Sequence, residues 1–153
     1  MPLAYEDIIQ GLPVIPVLLK DRSTGILVRK PIEYVTPLGT FTVPRQFLSD
    51  GCSLPRLFWV SIGHPFDMAY LSDALLHDYL YRTQLVTRAQ ADRLLYDMTK
   101  GKICWLRRQA IYRGLRIGGW VAWNKHAKAL KARGHSDSPE LAEDEDVARI
   151  TGK

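Results

Sequence analysis

The stretch AYLSDALLHDYLYRTQLVTRAQAD, residues 69–92, decides how the rest of the chain is read. Leu71, Leu75, Leu76 and Leu80 recur at helical spacing, so a first helix turns one face to a core. On that helix Asp73, His77 and Tyr81 stand at i, i+4 and i+8 and stack in a row. Asp78 lies one residue round, about 100° away by the 3.6-residue period, so His77 and Asp78 can address one small site from two sides. A second helix opens at Thr87, which forms the capping-box pattern with Gln90, and Ala91, Leu94, Leu95 and Met98 carry an apolar stripe onward. The connection at residues 84–86 is short enough to favour antiparallel neighbours. Asp92, about one turn into the second helix, then comes back level with His77. The spacing predicts a histidine oriented by one carboxylate, with a second carboxylate beside it.

Around this helix pair the chain has 153 residues, 46 % hydrophobic and 24 % charged. That is enough to bury a core without disulfide or metal staples. No apolar run approaches the length of a membrane span, and no basic N-terminal region leads into a long apolar one, so neither a transmembrane segment nor a Sec-type signal is expected. Cys52 and Cys104 belong to no CxxC or Cys/His spacing. A zinc site of His64, His77 and Cys52 likewise lacks the spacing that zinc sites show.

Charge is unevenly distributed. Residues 1–81 carry 6 basic and 8 acidic side chains, residues 82–133 carry 13 and 2, and residues 134–153 carry 2 and 6. The basic half suits an anionic partner such as phospholipid headgroups, nucleic acid or an acidic protein surface, or it is a solvated helix face. Arg107, Arg108, Arg113 and Arg116 form its candidate anionic-partner patch.

Before the helices, residues 17–19 and 25–28 flank a polar, turn-rich cluster, and residues 32–35 and 39–43 flank ThrProLeuGly, which predicts two hairpins. Residues 1–15 are ambiguous, with Pro2, Gly11, Pro13 and Pro16 breaking regular elements. Prolines at 31, 37 and 44 place the strands at edges or strand ends. SerAspGlyCysSerLeuProArg at 49–56 is an ordered loop whose oxygens are of the kind a hard cation takes, or whose Asp50 simply closes an Asx-turn. IleGlyHisProPheAsp at 62–67 leads into the His77 helix.

After Gly101 a third helix runs from Ile103 to about Leu130. Trp105, Ile111, Tyr112, Leu115, Gly119, Ala122 and Trp123 make its apolar stripe. Gly114, Gly118 and Gly119 within it imply a kink or close packing. Its tryptophans and arginines suit either a membrane interface or an ordinary core and surface. The fold expected is α+β, a small N-terminal antiparallel sheet followed by a helical half, with one domain over residues 1–133 and a disordered acidic tail over 134–153.

A histidine whose tautomer is fixed by a carboxylate can take a proton from water near neutral pH. No GxSxG elbow offers a rival nucleophile. LHDYLY at 76–81 with Ala91–Asp92 resembles the active-site helices of calcium-dependent secreted phospholipases and of the parvoviral capsid phospholipase domain. GlyHisProPheAsp at 63–67 resembles the Gly-x-Pro-x-Asp that follows the secreted enzymes' calcium loop. The resemblance implies His77 as general base, Asp92 as its orienter and Tyr81 as support. It implies Ca²⁺ at Asp78, with oxygens from Asp50 or Gly63. The secreted enzymes' cysteines and glycine-rich loop are absent.

A second resemblance covers residues 35–123. ThrProLeuGlyThrPheThrValPro, SerAspGlyCysSerLeuProArg, LeuHisAspTyrLeuTyr, AlaAsp and IleTyrArgGlyLeuArgIleGlyGly follow one another as in a family of uncharacterised phage and prophage proteins. Together the two imply a phage-encoded, phospholipase-like hydrolase of membrane phospholipid, located in the virion or host cytoplasm. The competing reading is a non-catalytic virion or assembly component in contact with other virion proteins. A third is a nucleic-acid-binding protein, for which no defined motif is present.

Overall fold

The structure is a computed structural model and describes residues 11–18, 24–49 and 70–134. These fall into two compact units, one of strands and one of helices. The α+β layout is the one the sequence predicts.

The strand unit contains β1 (Val14–Leu18), β2 (Thr24–Val28), β3 (Ile32–Thr36), β4 (Gly39–Val43) and β5 (Leu48–Ser49). β1, β2 and β5 form an antiparallel sheet with β2 in the middle, and β3 and β4 form a separate hairpin. Pro16 does not interrupt the chain, contrary to the sequence expectation. It lies inside β1 opposite Ile26, on an edge strand, where a residue without an N–H is tolerated. The central strand buries Ile26, Leu27 and Val28 in succession, so both of its faces are covered. β3 alternates instead, with Tyr34 buried between exposed Glu33 and Val35. At the tip of that hairpin Thr36 is opposite Gly39, which takes a φ of +127° that few other residues adopt. The Thr36 hydroxyl donates to the Gly39 carbonyl at 2.8 Å and accepts the Leu38 N–H at 3.2 Å.

The helical unit contains α1 (Leu71–Thr83), α2 (Arg88–Met98) and α3 (Trp105–Ala132). α1 is buried on nearly every side rather than on one face. Between its leucines stand Ala74, His77, Tyr79 and Tyr81, which can be buried, and its two acids are paired with cations. The helix ends at Gln84, whose φ of +52° costs about 1 kcal/mol for a residue with a side chain. Its side-chain amide donates to the Trp123 carbonyl of α3 at 2.9 Å and so anchors the turn. α2 begins with the expected capping box. Thr87 Oγ1 accepts the Gln90 N–H at 3.2 Å, and Gln90 Oε1 accepts the Thr87 N–H at 2.9 Å.

Tyr70 and Ala74, Leu95 of α2, and Ile111 and Leu115 of α3 share one core, with Ile103 packed against it. Residue 74 meets 95 while 77 meets 92, so α1 and α2 run antiparallel. α3 is continuous through its three glycines. Close packing rather than a kink explains Gly119, where an added Cβ would sit 2.6 Å from the Tyr81 hydroxyl. Trp105 does not join the stripe expected of it. It is the first residue of the helix and 64 % exposed, and burial begins only at Arg108. No helix among the described residues is long and apolar enough to cross a membrane. Residues 135–153 of the expected tail, together with Cys52 and His64, lie outside the described residues.

Candidate active site

The antiparallel pairing of α1 and α2 brings Asp92 against two residues one turn apart on α1. His77 Nε2 lies 3.0 Å from Asp92 Oδ1, and the Tyr81 hydroxyl donates to the same oxygen at 2.5 Å. The rings of His77 and Tyr81 stack at 4.3 Å between centroids, and Trp123 meets Tyr81 edge-on at 5.2 Å. α3 closes the third side. Arg116 Nη1 donates to Asp92 Oδ2 at 2.9 Å, and Arg88, one turn before Asp92 on its own helix, approaches that oxygen at 3.7 Å. Arg88 also donates to the Leu115 carbonyl at 3.0 Å, which ties the start of α2 to α3.

The group is buried, with His77 1 % exposed and Asp92 and Tyr81 at 0 %. Burial alone would raise the Asp92 pKa, but donation from His77, Tyr81 and Arg116 more than reverses it and holds the carboxyl below its ordinary 3.8. Burial and then the neighbouring Asp92 charge push the Tyr81 phenol far above its usual value, so it remains a donor. An ionised Asp92 is acceptor-only, so a neutral His77 must carry its proton on Nε2 and its lone pair on Nδ1. Nδ1 is buried and makes no hydrogen bond among the described residues.

His77, Tyr81 and Asp92 are therefore brought together as the spacing predicts. Asp73, the first member of the row of three on α1, is drawn away to Lys102, whose Nζ lies 2.7 and 2.8 Å from its oxygens. Asp78 is buried and carries Arg82 of its own helix, with Nη2 at 3.2 Å from Oδ2. Asp50 and Gly63 lie outside the described residues. Among the described residues no three His, Cys, Asp or Glu side chains gather as a metal would require. Of the three expected cation ligands only Asp78 is among the described residues, and there it is paired with a guanidinium.

The four arginines expected to make an anionic-partner patch divide. Arg116 is bonded to Asp92. Arg108 is buried, donating through Nε to the Tyr96 carbonyl at 3.1 Å and lying 4.1 Å over that ring. Arg107 lies over the Tyr70 ring at 5.4 Å, and Arg113 is exposed.

The family model described as "Protein of unknown function (DUF1353)" matches residues 26–115, more than half of the chain. The chain belongs to this family. The DUF1353 match runs from β2 into α3 and takes in His77, Tyr81, Arg88 and Asp92, stopping one residue short of Arg116. A relative, "Uncharacterized protein y4jT" of Sinorhizobium fredii (strain NBRC 101917 / NGR234), is 31 % identical over 94 residues. The alignment covers 60 % of this chain, which spans only 28 % of that relative's length. No solved structure matches.

Within this DUF1353 chain, sequence reasoning missed Arg88, Arg116 and Gly119 as parts of the site. Arg88 stood four residues before Asp92, a spacing at which helix pairs form. A glycine within a helix signalled close packing at Gly119 but not that Tyr81 is the neighbour, and the reach of Arg116 over 24 residues carried no local signal.

Proposed function

We propose that this DUF1353 chain is a phage-encoded hydrolase of phospholipase-like kind, with His77 as general base acting on water. The observation that carries the reading is the polarised imidazole: Nε2 bonded to an ionised Asp92, and Nδ1 left with its lone pair and no partner among the described residues. Nδ1 takes a proton from water as the water oxygen attacks the ester carbonyl carbon. Asp92 stabilises the imidazolium, which then protonates the departing alcohol oxygen. Fatty acid and lysolipid leave, with no covalent enzyme intermediate. Tyr81 and Arg116 hold Asp92 ionised and in place. Ca²⁺ would be held by Asp78 with Asp50 or Gly63, and no step is routed through it.

The test is release of fatty acid from mixed phospholipid vesicles, with calcium and with a chelator. His77→Gln abolishes release while helix content is retained, and the natural chain releases fatty acid from the same vesicles. Full activity in His77→Gln removes the site from consideration.

One observation favours a second reading, in which the chain is a non-catalytic virion component. The His77 ring is 1 % exposed, and the network binds three helices to one carboxylate, as a packing lock would. On that reading His77→Gln changes only stability, and the protein is found in purified particles.

A further inference from the structure

The side of α3 turned away from the core mixes apolar and cationic side chains and carries no acid. Leu106, Ala110, Arg113, Ile117, Trp120, Val121, Asn124, Lys128 and Lys131 are all exposed. At about 100° per residue they fall within a stripe about 100° wide. Ile117 is 71 % exposed and Trp120 55 %, so this is a sustained apolar surface and not a stray side chain. From Leu106 to Val121 it is about 22 Å long at 1.5 Å per residue. α3 carries seven Lys and Arg and no Asp or Glu. Arg108 and Arg116 are engaged inside, while Arg113, Lys128 and Lys131 make no ion pair among the described residues.

We infer that the outward face of α3 docks on an anionic lipid surface, lying in the headgroup layer with Leu106, Ile117, Trp120 and Val121 dipped toward the acyl chains. The charge pattern selects this occupant. A second copy packed face to face would set Arg113, Lys128 and Lys131 against their own kind, with no carboxylate on α3 to offset them. A nucleic-acid backbone would neutralise the cations but leave the aliphatic side chains and Trp120 with nothing apolar to cover them. Anionic headgroups over acyl chains meet both demands, and an apolar stripe with an aromatic anchor, with cations within it and beyond its C-terminal end, is the pattern of an interfacial helix. α3 cannot span the bilayer, so it lies on the surface. The inference needs no catalysis and stands apart from the hydrolase reading.

Pelleting of the full chain with vesicles of ether-linked phosphatidylcholine, with and without ether-linked phosphatidylglycerol, tests binding where no ester can be cleaved. Binding is expected only with phosphatidylglycerol and weakens with salt. Arg113→Glu/Lys128→Glu lowers affinity by at least about thirtyfold, taking each charge near a membrane as about fivefold. Ile117→Ser/Trp120→Ser lowers it by about tenfold or more. Both pairs lie on the exposed side, so unchanged circular dichroism confirms that the fold persists. Equal binding to neutral vesicles, no binding at all, or binding unchanged in both variants overturns the inference. So does a dimer in sedimentation that Ile117→Ser/Trp120→Ser dissolves, or DNA retardation without vesicle binding. No hydrolysis of ester-linked vesicles by the natural chain, with binding to the ether-linked ones intact, would count against the reading above and leave this one standing.

Discussion

Two carboxylates are buried in the helical unit, Asp73 on α1 and Asp92 on α2, and they behave in opposite ways. Asp73, 1 % exposed, has one cation, Lys102, whose own side chain is 43 % exposed. Burial dominates there and raises its pKa above 3.8, although Lys102 pulls the other way. Asp92 is no less buried, but it receives His77, Tyr81 and Arg116 and ends below 3.8. Burial sets the same penalty on both, and the number of fixed donors decides which sign survives. An acid that must remain ionised beside an imidazole therefore draws donors from two helices besides its own, which is why α3 belongs to the site.

The largest break in this contrast comes from Asp92→Asn. It leaves half-buried Arg116 against an uncharged amide and gives buried Tyr81 and His77 a poorer acceptor, so about 3 kcal/mol of stability is lost, the upper end for hydrogen bonds to a charged group. Urea unfolding measures it. A loss no greater than that of Asp73→Asn would mean that the donors around Asp92 contribute nothing extra.

Gly119→Ala comes next. Its Cβ would stand 2.6 Å from a hydroxyl that cannot swing aside, because Tyr81 is fully buried and bonded to Asp92. Overpacking costs about 1–3 kcal/mol, against roughly 1 kcal/mol gained from replacing glycine in a helix. In a Tyr81→Phe background the obstructing oxygen is gone, and the same substitution should turn neutral or stabilising. If the loss is equal in both backgrounds, the contact is not its cause.

Much of this arrangement was legible beforehand, and the parts that were not share a physical reason. Thr87 and Gln90 announce a helix start by a local hydrogen-bond pattern, and the short link after Gln84 fixes where Asp92 returns. His77 and Asp92 could thus be paired by counting. Arg116 could not, because its partner is set by how α3 lies across the other two helices. The stripe on α3 was blurred for a different reason. Leu106, Ile117, Trp120 and Val121 make the outward face apolar as well, so periodicity alone does not separate inside from outside and Trp105 is assigned to the wrong one. Asp78 adds a pairing that counting did not supply, since Arg82, one turn on, places a guanidinium 3.2 Å from its carboxylate.

Lys102→Met sharpens the contrast from the other end. Half-exposed Lys102 shares its charge with water, so its loss should cost only about 1 kcal/mol and should raise the Asp73 pKa further, since burial then acts unopposed by its cation. Arg116→Met at the Asp92 end should cost more, because the carboxylate there is ionised with no route to solvent. Equal losses would make the two sites alike.

The smallest effect is a difference in slope with pH, and it tests the contrast most directly. Asp92, held below 3.8, contributes stability that is complete above that value and is lost as pH falls through the lower folded pKa. Asp73, held above 3.8, contributes stability that is complete below that value and is lost as pH rises through the higher folded pKa. On acidification from neutral toward pH 3, the destabilisation by Asp92→Asn should therefore shrink while that by Asp73→Asn grows. Unfolding free energies of the two variants across that range would decide it. Parallel curves would mean that both acids titrate alike in the folded chain, and the donors gathered around Asp92 would then have no bearing on its charge.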